Sequence, residues 1–350
     1  MIILKKMEMK TSISRSCCWL LTTLALLMAS CGDKAMPTSQ PQPRSIEELR
    51  VEHSCWLDSL SLRAILDPDT VPGAHCIDTL SAEAWLLVDD ATGLVISQRN
   101  AHRRMFPASL TKMMTALLCL EHGHLDDTIT ITREMQTTRD CRVRLGDSYE
   151  ARHLLSEMML LSDNVAAVAL ACHAGGDTLA FAQMMNHKAA YLGMDSTHFA
   201  NPNGMPNDSN YSTARDLLCL ARYAMRDSAF AAIAGTSFAD LPLTDGRHMP
   251  CQNTNMLLQR YEGCIGVKTG YTRKAGSCLA SAATRDGTTL FLVLLKSRSY
   301  ASRFSESAAL LDYGFQVMKR FRQHPICRWL KGFESAVREG TPAASRQPQR

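Results

Sequence analysis

Three short motifs in this chain of 350 residues bring together the residue types needed for acyl transfer. In Ser109-Leu110-Thr111-Lys112 a hydroxyl stands three positions before an amine. On a helix that spacing puts both on nearly the same face. A serine hydroxyl becomes a useful nucleophile only when a base takes its proton. Ser162-Asp163-Asn164 adds a second hydroxyl and a carboxamide, and Lys268-Thr269-Gly270 adds a cation, a hydroxyl and a residue without a side chain. Burial beside another cation disfavours an ammonium ion, so Lys268 near Lys112 would leave Lys112 neutral often enough to act as base. Such a site works without histidine. S-x-x-K alone arises by chance about once in a few hundred residues, whereas each fixed tripeptide is far rarer. All three in this order are a specific signal.

The elements that must position these groups are legible in part. Pro107 can open a helix. Leu110, Met113, Met114, Leu117 and Leu118 then follow the i, i+3, i+4, i+7, i+8 pattern of a packed helical face, and Gly123 can end it. His153 to Leu161 and Val165 to Ala174 read as helices on either side of the Ser162 turn, with Gly175-Gly176 closing the second. Asp163 is expected to cap that second helix. Asn201 to Asn210, dense in Asn, Pro and Gly, reads as a loop, and Thr213 to Met225 as a helix. Ala84 to Ile96 has the pattern of a hairpin. Ile265–Thr272, Ser277–Thr284 and Thr289–Leu295 read as strands, the last two joined by Arg285-Asp286-Gly287, and Ser302–Lys319 as a closing helix. Strands at both ends with helices between them give an α+β fold: an antiparallel sheet flanked by helices, with a mainly helical insert.

The N-terminus reads as a targeting segment. Lys5, Lys6, Lys10 and Arg15 precede an apolar stretch from Trp19 to Met28, too short to span a bilayer comfortably. Met28-Ala29-Ser30-Cys31 follows and looks like a lipobox, with Met28 departing from the usual Leu. Lipid attachment at Cys31 is preferred over ordinary cleavage near Ala29, because the cysteine stands where the apolar run stops. The expected organisation is a lipoprotein-type signal peptide over 1–30, a tether and N-terminal extension over 31–80, a catalytic domain over 81–321 and a basic tail over 322–350. The tether is rich in Pro, Gln, Ser and Thr. Ser45 to Leu66 has a weak helical pattern with no assigned role. Net charge is +4 with no basic run, which argues against a nucleic-acid partner. Ten cysteines remain outside the signal segment and Cys31. Several stand in apolar context, so most are expected as unbridged buried thiols. No C-x-x-C or H-E-x-x-H is present, so neither a metal nor another cofactor is expected.

The flanks carry a resemblance further. Pro107-Ala108-Ser109-Leu110-Thr111-Lys112-Met113-Met114-Thr115, Asn201-Pro202-Asn203-Gly204, Tyr211-Ser212-Thr213-Ala214-Arg215-Asp216 and Gly266-Val267-Lys268-Thr269-Gly270-Tyr271-Thr272 are similar to the D-alanyl-D-alanine carboxypeptidase family, the low-molecular-mass penicillin-binding proteins of peptidase family S11. The likeness runs from about Ala82 to about Phe321. It implies a β-lactamase/transpeptidase-like fold and a serine-type D-Ala-D-Ala carboxypeptidase acting on peptidoglycan pentapeptides, with β-lactams as inhibitors. Ser109 would be acylated and Lys112 would be its base. Ser162 would pass a proton between Lys112 and the departing amine, and Asn164 would donate to the substrate's amide carbonyl. Lys268 and Thr269 would bind its terminal carboxylate, and Gly270 would let its backbone approach. The backbone N–H groups of Ser109 and Tyr271 would form the oxyanion hole. Arg303 would stand near the terminal carboxylate, with Arg298 as its competitor. Exported and held at the membrane through Cys31, the protein would work in the cell envelope. Two alternatives remain. A class A β-lactamase would need a Glu-x-x-x-x-Asn stretch, and Glu262, the one Glu between the second and third motifs, lacks that context. A non-catalytic penicillin-binding sensor would not need all three motifs.

Overall fold

The computed structural model describes residues 71–136 and 141–323. The signal segment, Cys31, most of the tether, the 45–66 pattern and the chain beyond residue 323 lie outside them. Helix α1 (Ala74–Asp78) leads into strands β1 (Ala84–Asp89) and β2 (Val95–Arg99). A short 3-10 turn (Ala108–Thr111) runs into helix α2 (Lys112–His122). Strands β3 (Thr128–Thr130) and β4 (Ser148–Glu150) form a small ribbon. Helices α3 (Ala151–Leu160), α4 (Asn164–Gly175), α5 (Thr178–Tyr191), α6 (Ala214–Ala224) and α7 (Ser228–Gly235) follow. Strands β5 (Phe238–Pro242) and β6 (His248–Gln252) make a second ribbon, then comes helix α8 (Leu257–Arg260). Strands β7 (Cys264–Thr272), β8 (Gly276–Arg285) and β9 (Thr288–Ser297) and helix α9 (Tyr300–Gln323) complete the fold.

The main sheet has the order β2-β1-β9-β8-β7, with the pairs antiparallel throughout. Its period-two alternation feeds two cores. Ala84, Leu86 and Val88 of β1 pack with the helical insert, while Trp85 and Leu87 pack with Leu310, Leu311 and Val317 of α9. This is the expected α+β architecture. Strand β7, which carries Lys268, Thr269 and Gly270, lies at the sheet edge.

Val71 is buried in the α9-side core, so the fold extends upstream of residue 81. Within helix α9, Arg322 donates to the carbonyls of Asp286 and Gly287 at 3.0 and 3.2 Å and ties the helix to the β8–β9 turn. None of the seven cysteines whose side chains are described forms a disulfide.

Candidate active site

Ser109 precedes the α-helix proper. It sits in the 3-10 turn, and α2 begins at Lys112. Three residues per turn bring positions i and i+3 directly into line, and Lys112 Nζ lies 3.1 Å from Ser109 Oγ. Lys112 is fully buried. Its Nζ also donates to Asn164 Oδ1 at 2.8 Å and to the Asn203 carbonyl at 2.6 Å. Burial lowers its pKa from 10.5 to about 7, against the opposing pull of Asp163 and Cys141. Near neutrality the amine therefore exists in both forms, and the neutral one can accept the serine proton.

The 201–210 loop holds this arrangement from outside. Thr115 Oγ1 donates to the Pro202 carbonyl at 2.6 Å, next to the Asn203 carbonyl that receives Lys112. Gly204 has φ 78°, and a Cβ there would fall 2.0 Å from the Ala108 carbonyl oxygen. Only glycine admits that conformation together with that approach. The Met205 sulfur lies 3.6 Å from Asn164 Nδ2.

Asp163 caps α4 through its side chain, accepting from Val165 N at 2.7 Å and Ala166 N at 3.0 Å. Ser162, just before it, has φ 66°, and Ala108, just before the nucleophile, has φ 49°. Both are non-glycine residues in the left-handed region, a strain that clusters at functional sites. Ser162 Oγ is buried and has no hydrogen-bond partner among the described residues. The bond to Lys112 that a proton relay requires is thus not formed in this structure, and Asn164 Oδ1 occupies that amine instead.

On the other wall, Gly270 packs its backbone against the nucleophile turn. A Cβ there would stand 3.1–3.2 Å from Ser109 N, Leu110 N and the Pro107 carbonyl oxygen. Lys268 is buried, with one long bond of 3.3 Å from Nζ to the Thr269 carbonyl. Burial, then Lys112 and Arg303, hold its pKa well below the ordinary lysine value. Thr269 Oγ1 shares a 2.7 Å bond with Thr254 Oγ1. Arg303 is also buried, its Nη1 donating to the Gly270 carbonyl at 3.1 Å and its Nε without a partner among the described residues. Arg298 is exposed, so Arg303 is the arginine that joins the two lysines. Among the described residues no carboxylate pairs with Lys268 or Arg303. Lys268 and Arg303, both buried and with donors to spare, form a cradle for an anion. Tyr271 is 64% exposed at the open end of β7.

The structure thus brings Ser109, Lys112 and Asn164 into contact, with Lys268, Thr269, Gly270 and Arg303 opposite. The Asn203 carbonyl was not anticipated. Its signal was the turn-rich Asn201-Pro202-Asn203-Gly204 run, read as a loop and as a stretch shared with the family, with no role given to its backbone.

Comparison with known proteins gives a consistent result. A profile of the D-alanyl-D-alanine carboxypeptidase family, peptidase S11, matches residues 71–299. The D-alanyl-D-alanine carboxypeptidase DacB2 of Mycobacterium tuberculosis is 36% identical, over 72% of this chain and 88% of its own. A D-alanyl-D-alanine carboxypeptidase of Streptomyces sp. (strain K15) is 34% identical, over 68% of this chain and 89% of its own. The crystal structure of the Streptomyces K15 DD-transpeptidase superposes with a TM-score of 0.63 at 34% identity, covering 68% of this chain and 98% of that one.

Proposed function

The chain belongs to the D-alanyl-D-alanine carboxypeptidase family, and from that premise we propose that it is a serine peptidase removing the terminal D-Ala from peptidoglycan stem peptides. The observation that carries this is a fully buried lysine, its pKa lowered by burial to about 7, in hydrogen-bond contact with a serine on a strained turn. The stem peptide lies along the unpaired edge of β7 as an added strand. Asn164 Nδ2, with its oxygen taken by Lys112, donates to the substrate amide. Lys268, Thr269 and Arg303 receive the terminal carboxylate. Ser109 Oγ attacks the carbonyl of the penultimate D-Ala as its proton passes to Lys112. The oxyanion is met by the N–H groups of Ser109 and Tyr271. Proton return through Ser162 releases D-Ala, and water then cleaves the ester with Lys112 as base. No step calls for a cofactor. A β-lactam acylates the same serine.

A class A β-lactamase is disfavoured because Glu262 is exposed in the turn before β7. Transfer of the acyl group to an amine is the second reading, favoured by the fold shared with a DD-transpeptidase. Mass spectrometry with a pentapeptide, alone and with an added amine, separates them: hydrolysis gives free tetrapeptide and D-Ala, and transfer gives the amide adduct. Penicillin keeps its leaving amine tethered, so its adduct should outlive the peptidyl adduct at least about tenfold, a barrier difference of roughly 1.4 kcal/mol. Rapid penicillin turnover without D-Ala release would favour the β-lactamase, and stable acylation without peptide turnover the sensor. Amide-capped pentapeptide should lose a charge-assisted contact worth about 1.5–3 kcal/mol. Equal turnover of acid and amide would remove the carboxylate role of Lys268 and Arg303.

The same reading puts the enzyme in the cell envelope, lipidated at Cys31, supported by the basic n-region, the short apolar run and the cysteine at its end. Cys31→Ala should lose fatty-acid labelling and membrane partition. A wild type that is exported, soluble and unlabelled would leave simple secretion.

A further inference from the structure

Glu157, on α3, has no part in the chemistry above. It is 0% exposed, and among the described residues no N–H or O–H group donates to either of its carboxyl oxygens. The charged side chains that act on it are the carboxylate of Asp163, within hydrogen-bonding reach, and more weakly the guanidinium of Arg142. An ionised carboxylate with no donor and only the weak pull of Arg142 is too poorly solvated to persist in such a place, and a second carboxylate beside it disfavours ionisation further. The pair is satisfied when one proton lies between them, with Glu157 as the acid and Asp163 as the acceptor.

Asp163 is where this matters. Its Oδ1 takes the first N–H groups of α4, and its Oδ2 takes Arg142 N at 3.0 Å. It stands between Ser162, held at φ 66°, and Asn164, which orients Lys112. We propose that Glu157 is a positioning residue for the acyl-transfer site: as a neutral acid it donates a hydrogen bond to Asp163 and locks the Ser162–Asn164 turn onto α3. This rests on the roles proposed above for Ser109, Lys112, Ser162 and Asn164.

The arrangement has an alkaline limit. Burial, then the charge of Asp163, raises the Glu157 pKa to about 9, and Arg142 alone pulls the other way. Tyr149 and Cys251, which also feel Glu157, are pushed up to about 12 and remain neutral through this range. Lys112 of α2 is reached through Asp163. The sequence of α7 has no ionisable residue, Asp240 of the second ribbon pairs at the surface with His248, and His173 of α4 pairs with Asp127. His153, one turn earlier on α3, has no partner at Nδ1. Above the Glu157 pKa two adjacent carboxylates repel, and the turn loosens.

The test compares wild type, Glu157→Gln and Glu157→Leu. The rate of Ser109 acylation by labelled penicillin is followed from below pH 7 to well above pH 9, with infrared detection of a protonated buried carboxyl at neutral pH. The wild type should rise through about pH 7, fall through about pH 9 and show the carboxyl band. Glu157→Gln still donates, so it should rescue most of the neutral-pH rate while losing both the band and the alkaline fall. Glu157→Leu should acylate roughly 10- to 100-fold more slowly at neutral pH. Absence of the band in wild type overturns the proposal, as does an alkaline fall unchanged in Glu157→Gln or a wild-type rate in Glu157→Leu. A wild type that shows the band but takes no label overturns the acyl-enzyme reading instead.

Discussion

Ser109→Ala should fold normally, take up no labelled penicillin and release no D-Ala, a loss of roughly 10⁶ in turnover. The hydroxyl is the atom that bonds to the substrate, and nothing nearby replaces it: Ser162 Oγ is buried without a contact to Lys112. The substitution removes one acceptor from Lys112 and leaves it the Asn164 and Asn203 oxygens, so the wall of the site should persist. Peptide mapping of the labelled wild type, with a melting curve of the variant as control for folding, checks both halves. Undiminished labelling of the variant, or an adduct on another peptide, would remove Ser109 from its role.

Lys112→Met should lower acylation by about 10²–10⁴-fold, the range of a lost general base. In the wild type the rate should climb as pH rises through about 7, because only the neutral amine accepts the serine proton. The variant should lack that limb. The same group leaves a mark on stability. Its folded pKa, about 7, lies below the ordinary 10.5, so between those values the folded state binds fewer protons than the unfolded chain. Stability contributed by this group therefore rises with pH across that window. At about 1.36 kcal/mol per pK unit, the burial costs on the order of several kcal/mol at pH 7. Glu157 has the opposite sign, losing stability as pH rises from about 4.5 to about 9. Denaturant unfolding of wild type and Lys112→Met at matched pH cancels that contribution. A difference that does not change with pH would mean Lys112 is protonated in the fold.

How far the sequence carried this result depends on what each feature is written in. The α2 face and the β7–β9 strands show as hydrophobic periodicity, and their bounds agree with the fold to within a few residues. Helix α5 does not, since its buried face of Phe181, Ala182, Met185 and Ala189 is diluted by alanines. The β5–β6 ribbon does not either, because Pro242 and Pro250 sit in exposed strands and argue against them. In the site, side-chain identities were readable as motifs. The Asn203 carbonyl was not, because a backbone acceptor has no residue type. Nor was Glu157, whose letter reads as a solvated acid until burial and Asp163 are known.

Ala108 and Ser162 carry one further consequence. A non-glycine residue held at φ 49° or 66° costs about 1–3 kcal/mol, against a total folding stability of about 5–15 kcal/mol. Two such positions are a substantial fraction of what keeps the chain folded, and each adjoins a serine of the site. Selection for heat resistance alone would therefore drift toward glycine at both, and the proteins it returned would melt later and acylate more slowly. In this scaffold thermal robustness and nucleophile geometry are competing objectives, and the native chain sits on the side of geometry.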